Sequence, residues 1–158
     1  MSLPYENSTS GERALGEIQK LLRGFGCSKF GSMSDDIEQT ILVQFEYRGR
    51  PVSVRASIRG YAAAWLKQNP PKIFKADLER GSANSKRLAA ERKAMDIASV
   101  AVYSILRDWI KGQITAIESG ILTFEGAFLG QILLPSGKTV LEHASAVQLL
   151  PQLQAPTP

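Results

Sequence analysis

The sequence predicts an α+β fold. Three observations predict it: a helical apolar pattern near the start, two alternating segments joined by a tight turn, and one long helical pattern after residue 85. The expected order is an N-terminal helix, an antiparallel β-hairpin or three-stranded sheet, a short helix, one long helix and a small C-terminal β/α element. At 158 residues the chain is expected to form a single domain. Residues 1–70 hold the helix and sheet, 71–85 a basic connector, 86–119 the long helix, 120–150 the C-terminal element and 151–158 a disordered tail.

The first helix is read from "TSGERALGEIQKLLRGFG". Leu15, Ile18, Leu22 and Phe25 recur at three- and four-residue spacing, and Leu21 widens the stripe. Thr9 and Glu12 fit a capping box, and Gly24 and Gly26 supply the stop. "CSKFGSM" suits a short strand and "SDD" a turn.

The hairpin signal is the clearest in the chain. Ile41, Val43, Phe45 and Tyr47 alternate with Leu42, Gln44 and Glu46, which predicts a strand at about 40–47. Val52, Val54, Ala56 and Ile58 share a second apolar face, opposite Ser53, Arg55, Ser57 and Arg59, which predicts a strand at about 52–58. Arg48 and Gly49 form the connection, because glycine takes the positive φ that a tight hairpin turn needs. Pro51 has no N–H to donate and belongs at a strand start or edge.

"GYAAAWLKQ" reads as a short helix that "NPP" terminates. The long helix carries Leu88, Met95, Ala98, Val102, Ile105, Leu106, Trp109, Gln113 and Ile117 on one stripe, and Gly120 stops it. A stripe of that length around Val102, Ile105 and Trp109 predicts self-association into a homo-oligomer. The remainder suggests a short helix, a strand through "FLGQILL", a "PSGK" turn and a further apolar segment.

Composition narrows the function. Cys27 is the only cysteine and His143 the only histidine, so an internal disulfide, a Cys/His metal set and any triad whose histidine base is not His143 are excluded. His143 reads as a surface or packing residue. "PSGK" lacks P-loop spacing, "GFGCSKFG" follows a helix instead of opening one, and Asp35/Asp36 and Glu118 with Glu125 have no partner set for metal-dependent cleavage. The expectation is a non-enzyme with no cofactor and no metal. No apolar run is long enough to span a bilayer. The N-terminus lacks a basic region followed by an apolar stretch, so a cytoplasmic location is expected and no membrane partner.

Charge is distributed unevenly. Residues 48–93 hold twelve basic and three acidic residues, a net of +9, while residues 1–47 carry −3 and residues 94–158 carry −2. Such a block attracts polyanions. The candidate binding residues are Arg48, Arg50, Arg55, Arg59, Lys67, Lys86, Arg87 and Lys93. Arginine pairs with phosphate in bidentate fashion, and nearby Tyr47, Tyr61 or Trp65 can stack on unpaired bases. The competing reading is an amphipathic hairpin with a solvated outer face and its aromatics in the core. Lys86 and Arg87 fall in the first turn of the long helix, where the macrodipole disfavours cations, so a phosphate partner is one explanation. A helix that begins earlier, near Lys75 or Asp77, is the other.

"SGERALGEIQKLLRGFGCSKFG", "ILVQFEYRGRPVSVRAS" and "ITAIESGILTFEGAFLGQILLPSGKTV" together resemble small uncharacterised proteins encoded by tailed bacteriophages and prophages. The similarity runs from Ser10 to Val140. It implies a phage or prophage origin and expression in the host cytoplasm, and it transfers no site residues. The leading expectation is non-catalytic binding of nucleic acid, single-stranded by preference, in phage replication, recombination or expression. The alternatives are an inhibitor or adaptor that docks its basic face on an acidic protein, and a self-assembling structural protein.

Overall fold

The computed structural model describes residues 2–154. The elements run α1 (Gly11–Phe25), β1 (Lys29–Asp35), β2 (Thr40–Tyr47), β3 (Arg50–Ser57), α2 (Ile58–Gln68), α3 (Lys75–Arg80), α4 (Ala83–Glu118), α5 (Phe124–Phe128), a single 3-10 turn (Leu129–Gln131) and α6 (Val140–Ala146). The α+β expectation holds: one three-stranded antiparallel sheet in the order β1-β2-β3, with helices packed against it.

The hairpin forms where the alternation predicts it. Phe45 pairs with Val52, Val43 with Val54 and Ile41 with Ala56, so one face carries apolar side chains from both strands. The two-residue turn has Arg48 at φ +48° and Gly49 at +81°. Both lie in the left-handed region, whose twist matches the flanking strands. β1 adds to the other edge of β2, from Lys29 opposite Glu46 to Asp35 opposite Thr40.

The helices close the core over that face. Ile18 and Leu22 of α1, Ile58, Ala62 and Trp65 of α2, Ala98, Val102, Leu106, Ile110 and Ile114 of α4, and Phe124 and Phe128 of α5 join the strand residues in one cluster. At the end that holds the hairpin turn, the cluster is aromatic. Tyr47 stacks on Phe25 at 4.3 Å between centroids and lies 4.9 Å from Phe124, while Phe128 meets Phe45 at 5.5 Å and Trp109 at 5.7 Å.

Several boundaries depart from the sequence reading. Ser10, not Thr9, caps α1, accepting from the Arg13 N–H at 3.1 Å. Ile58 and Arg59 belong to α2 instead of β3, because Ser57 caps that helix by accepting from the Gly60 N–H at 3.0 Å. The 71–85 connector contains α3, and α4 starts at Ala83. The strand expected through "FLGQILL" reduces to α5, the 3-10 turn and two isolated bridges, Val52 with Ile132 and Leu133 with Thr139. Residues 151–154 have no regular structure, and 155–158 of the expected tail lie outside the described residues.

The stripe that carried the expectation of self-association is partly covered within the chain. Val102 is buried, Ile105 is partly buried and Trp109 packs edge-on against Phe128. Leu88, read as the start of that stripe, is exposed, and the buried face of α4 runs from Ala94 onward apart from Ala83. No helix among the described residues is long and apolar enough to cross a membrane.

Candidate nucleic-acid interface

Arg48 and Arg50, at the hairpin turn, lie far from Lys86 and Arg87 at the start of α4. Arg48, Arg50 and Arg55 lie on the hairpin, Arg59 at the start of α2, and Lys67, Lys86, Arg87 and Lys93 on an arm built from the end of α2, residues 69–74, α3 and the first turns of α4. The hairpin turn belongs to the aromatic end of the core, where Gln113 of α4 donates to the Ala127 carbonyl at 2.7 Å. Lys86 lies 27 residues earlier on the same helix, a span of about 40 Å at the α-helical rise.

On the hairpin side two of the cations, Arg50 and Arg59, meet the protein's own acceptors. Arg50 forms an ion pair with Glu125 of α5. Arg59 donates to the Ile37 carbonyl at 2.9 Å and so clips the β1–β2 turn to α2. Arg48 lies 5.2 Å from the Tyr47 ring centroid. Arg55 is exposed and faces Glu142 of α6. The Glu142 carboxyl is held below its usual range by the Thr139 N–H, by the Thr139 hydroxyl and further by the charges of Arg55 and Lys138. Ser53, expected beside Arg55 on the solvated face, is buried. The C-terminal segment covers it: Leu133 donates to the Pro51 carbonyl at 2.9 Å and Ile132 bridges Val52. The basic β-face read from the sequence is therefore interrupted.

The hairpin aromatics are equally occupied. Phe45 is in the core, Tyr47 lies between Phe25 and Phe124, and the Tyr61 hydroxyl donates to the Pro4 carbonyl at 2.7 Å. Trp65 is only 8% exposed, and Lys93 Nζ sits 5.8 Å from its ring centroid. None offers an open ring.

The arm is organised around Asp77, which is 2% exposed. Its Oδ2 accepts from Lys86 Nζ at 2.7 Å and from the Phe74 N–H at 2.9 Å, while Oδ1 accepts from the Ser82 hydroxyl at 3.0 Å. The carboxyl is lowered to about 2, first by the Lys86 ammonium and then by the Phe74 N–H. Here lies the reason for a cation near the start of α4. The carboxylate missing from the first turn of α4 comes from α3, and Lys86 is its partner. Lys86 is therefore an internal tie as well as a surface charge.

The rest of the arm is bare. From Asn84 to Lys93 no residue is buried. Residues 67–93 hold eight basic residues (Lys67, Lys72, Lys75, Arg80, Lys86, Arg87, Arg92 and Lys93) against Asp77, Glu79 and Glu91. Among the described residues, Lys67, Lys72, Lys75, Arg87, Arg92 and Lys93 make no ion pair. Lys72, Lys75 and Arg92 were not singled out as site residues from the sequence. Their signal was present in the local charge density of 67–93.

Elsewhere the chemistry is sparse. A groove of about 630 Å³ between α1 and α4 has Leu21 and Ile114 among its lining, with Glu17, Lys20, Arg107 and Lys111. Arg107 donates to Glu17 at 3.0 Å across it, which ties the two helices together. Burial pushes the Cys27 thiol up to about 11. No group of three or more His, Cys, Asp or Glu side chains converges among the described residues. No protein-family model, curated protein or solved structure matches the chain.

Proposed function

We propose that the protein binds nucleic acid without catalysis, and that the α3–α4 arm is its contact surface. The observation that carries this reading is the arm's charge: a net of +5 over residues 67–93, with six cations free of internal ion pairs. Of the three acids, Asp77 is buried and held by Lys86, and setting that pair aside leaves the net of +5 unchanged. Phosphate contacts of this kind position a nucleic acid without reading its sequence. Taken with the resemblance to tailed-phage proteins, this would make it a phage-encoded factor in replication, recombination or expression.

Fluorescence anisotropy with labelled DNA and RNA at low and raised salt tests the reading. Replacing Lys75 and Arg87 together by alanine is expected to lower the salt slope of binding by about two, one per lost phosphate contact. Replacing Arg55 and Arg59 together is expected to change it little. Absence of binding to every DNA and RNA at low salt overturns the proposal.

A second reading has its own observation. Leu78 and Leu88 are 61% and 46% exposed on the same arm, which suits a docking face for an acidic protein with apolar side chains. It predicts loss of affinity on truncating either leucine and only a shallow salt slope.

A further inference from the structure

Phe74 did not enter the sequence reading. Among the described residues it is the most exposed aromatic side chain, at 60%. It caps the N-terminus of α3 with extended backbone, φ −98° and ψ 162°. Its N–H is held by Asp77, so the ring is presented from a fixed main chain. Ile73 beside it is half-buried, while Lys72 and Lys75 on either side are exposed. Leu78, four residues later within the short helix, is also exposed.

Lys86 lies over this ring, with Nζ 5.3 Å from the centroid. The same Nζ is anchored 2.7 Å from Asp77. An ammonium fixed in this way polarises one side of the ring and leaves the remaining surface uncovered. An exposed phenylalanine ringed by lysines gains nothing from folding alone, since its apolar area stays in water. It gains on meeting a flat, polarisable group whose own chain carries negative charge.

We infer that Phe74 is a stacking platform for an unpaired nucleobase, with Lys72, Lys75 and Lys86 engaging the flanking phosphates, so that the ligand is single-stranded. The inference rests on the nucleic-acid reading above and specifies its substrate class. A duplex hides its base faces in the stack, and a ring can reach them only after unstacking a step. A single strand offers a base face at every nucleotide, and stacking on an aromatic side chain is tolerant of sequence.

The test compares three labelled oligomers of equal length by anisotropy: oligo(dT), the same backbone with abasic sites, and a blunt duplex. Wild type is expected to bind oligo(dT) on the order of tenfold more tightly than the abasic strand. Phe74→Ala and Phe74→Leu are each expected to erase that difference and leave the affinity for the abasic strand unchanged. Phe74→Trp is expected to preserve it, with the added indole quenched on binding. Thermal melting confirms that the variants fold, as the ring is exposed. Equal binding of oligo(dT) and abasic strand by wild type, or unchanged discrimination in Phe74→Ala, overturns the stacking site while leaving phosphate binding by the arm intact. Failure of wild type to bind any of the three overturns both.

Discussion

Arg50 and Arg87 are exposed arginines from the same basic block, and they are held differently. Arg50 is paired with Glu125 at the aromatic end of the core. Arg87 stands on a stretch of α4 with no buried residue and no ion pair. The hairpin and the arm are alike in charge, but Arg50 and Arg59 have acceptors within the protein, while the arm holds six cations with no ion pair among the described residues. What separates them is the surrounding structure. α5, α6 and the segment around Ile132 fold back over the hairpin and bring the carboxylates of Glu125 and Glu142 to it. No residue from Asn84 to Lys93 is buried. Positive charge in a sequence marks a binding face only where the fold does not consume it.

The comparison can be broken most sharply at the aromatic end. Phe128 is fully buried and touches Phe45, Trp109 and Phe124. Phe128→Ala is expected to lower the unfolding free energy by about 3–5 kcal/mol in denaturant titration. Loss of the same size from an alanine at Leu88, on the arm, would show that the arm is part of the core and erase the distinction.

Asp77 sharpens the other side. Its folded pKa of about 2 lies below the ordinary 3.8. A depressed carboxyl contributes stability that is complete above the unfolded value and is lost as pH falls through the folded one. The tie from α3 to Lys86 is therefore expected to hold above pH 3.8 and to release toward pH 2, read as the Phe74 amide shift in an NMR titration. Asp77→Ala is expected to speed amide exchange across α3 at neutral pH while the exchange of β2 stays unchanged. Equal acceleration in both would mean that α3 and the sheet open together.

The smallest effect is expected at Arg50. Both partners of its ion pair are about half exposed, so Arg50→Ala is expected to cost under about 1 kcal/mol. It is also expected to leave the salt dependence of nucleic-acid binding unchanged.

The hairpin was legible because its information is local. Alternation at Ile41, Val43 and Phe45 and at Val52 and Val54, with glycine between, fixes both strands and their register. The end of β3 was less so. Ile58 satisfies a period of two with Val54 and a period of 3.6 with Ala62 and Trp65, and the Ser57 cap decides for the helix. α3 is six residues long, too short to show a period, and its stability comes from Asp77 contacting Lys86 nine residues away. Burial of Ser53 and occupation of Arg50 come from residues more than seventy positions downstream. No local window holds that information. The eight candidate cations were therefore readable as charge and unreadable as partners, and Phe74 was passed over because its exposure depends on what does not pack against it.

α4 runs unbroken for 36 residues, about 54 Å, through the border between core and arm. Mechanically it is a beam held along most of its length, with Lys86 near its start tied to α3. The stretch from Ala94 to Ile114 is fixed in the core, so the exposed turns from Asn84 to Lys93 need no nucleation of their own and continue the ladder already begun. A ligand arriving at these turns meets main chain that is already ordered. What it must still immobilise is a few lysine and arginine side chains, at about 0.5–1.5 kcal/mol each. The encounter should be rapid in both directions, with bound and free resonances of Lys86 to Lys93 merging into single averaged peaks as ligand is added.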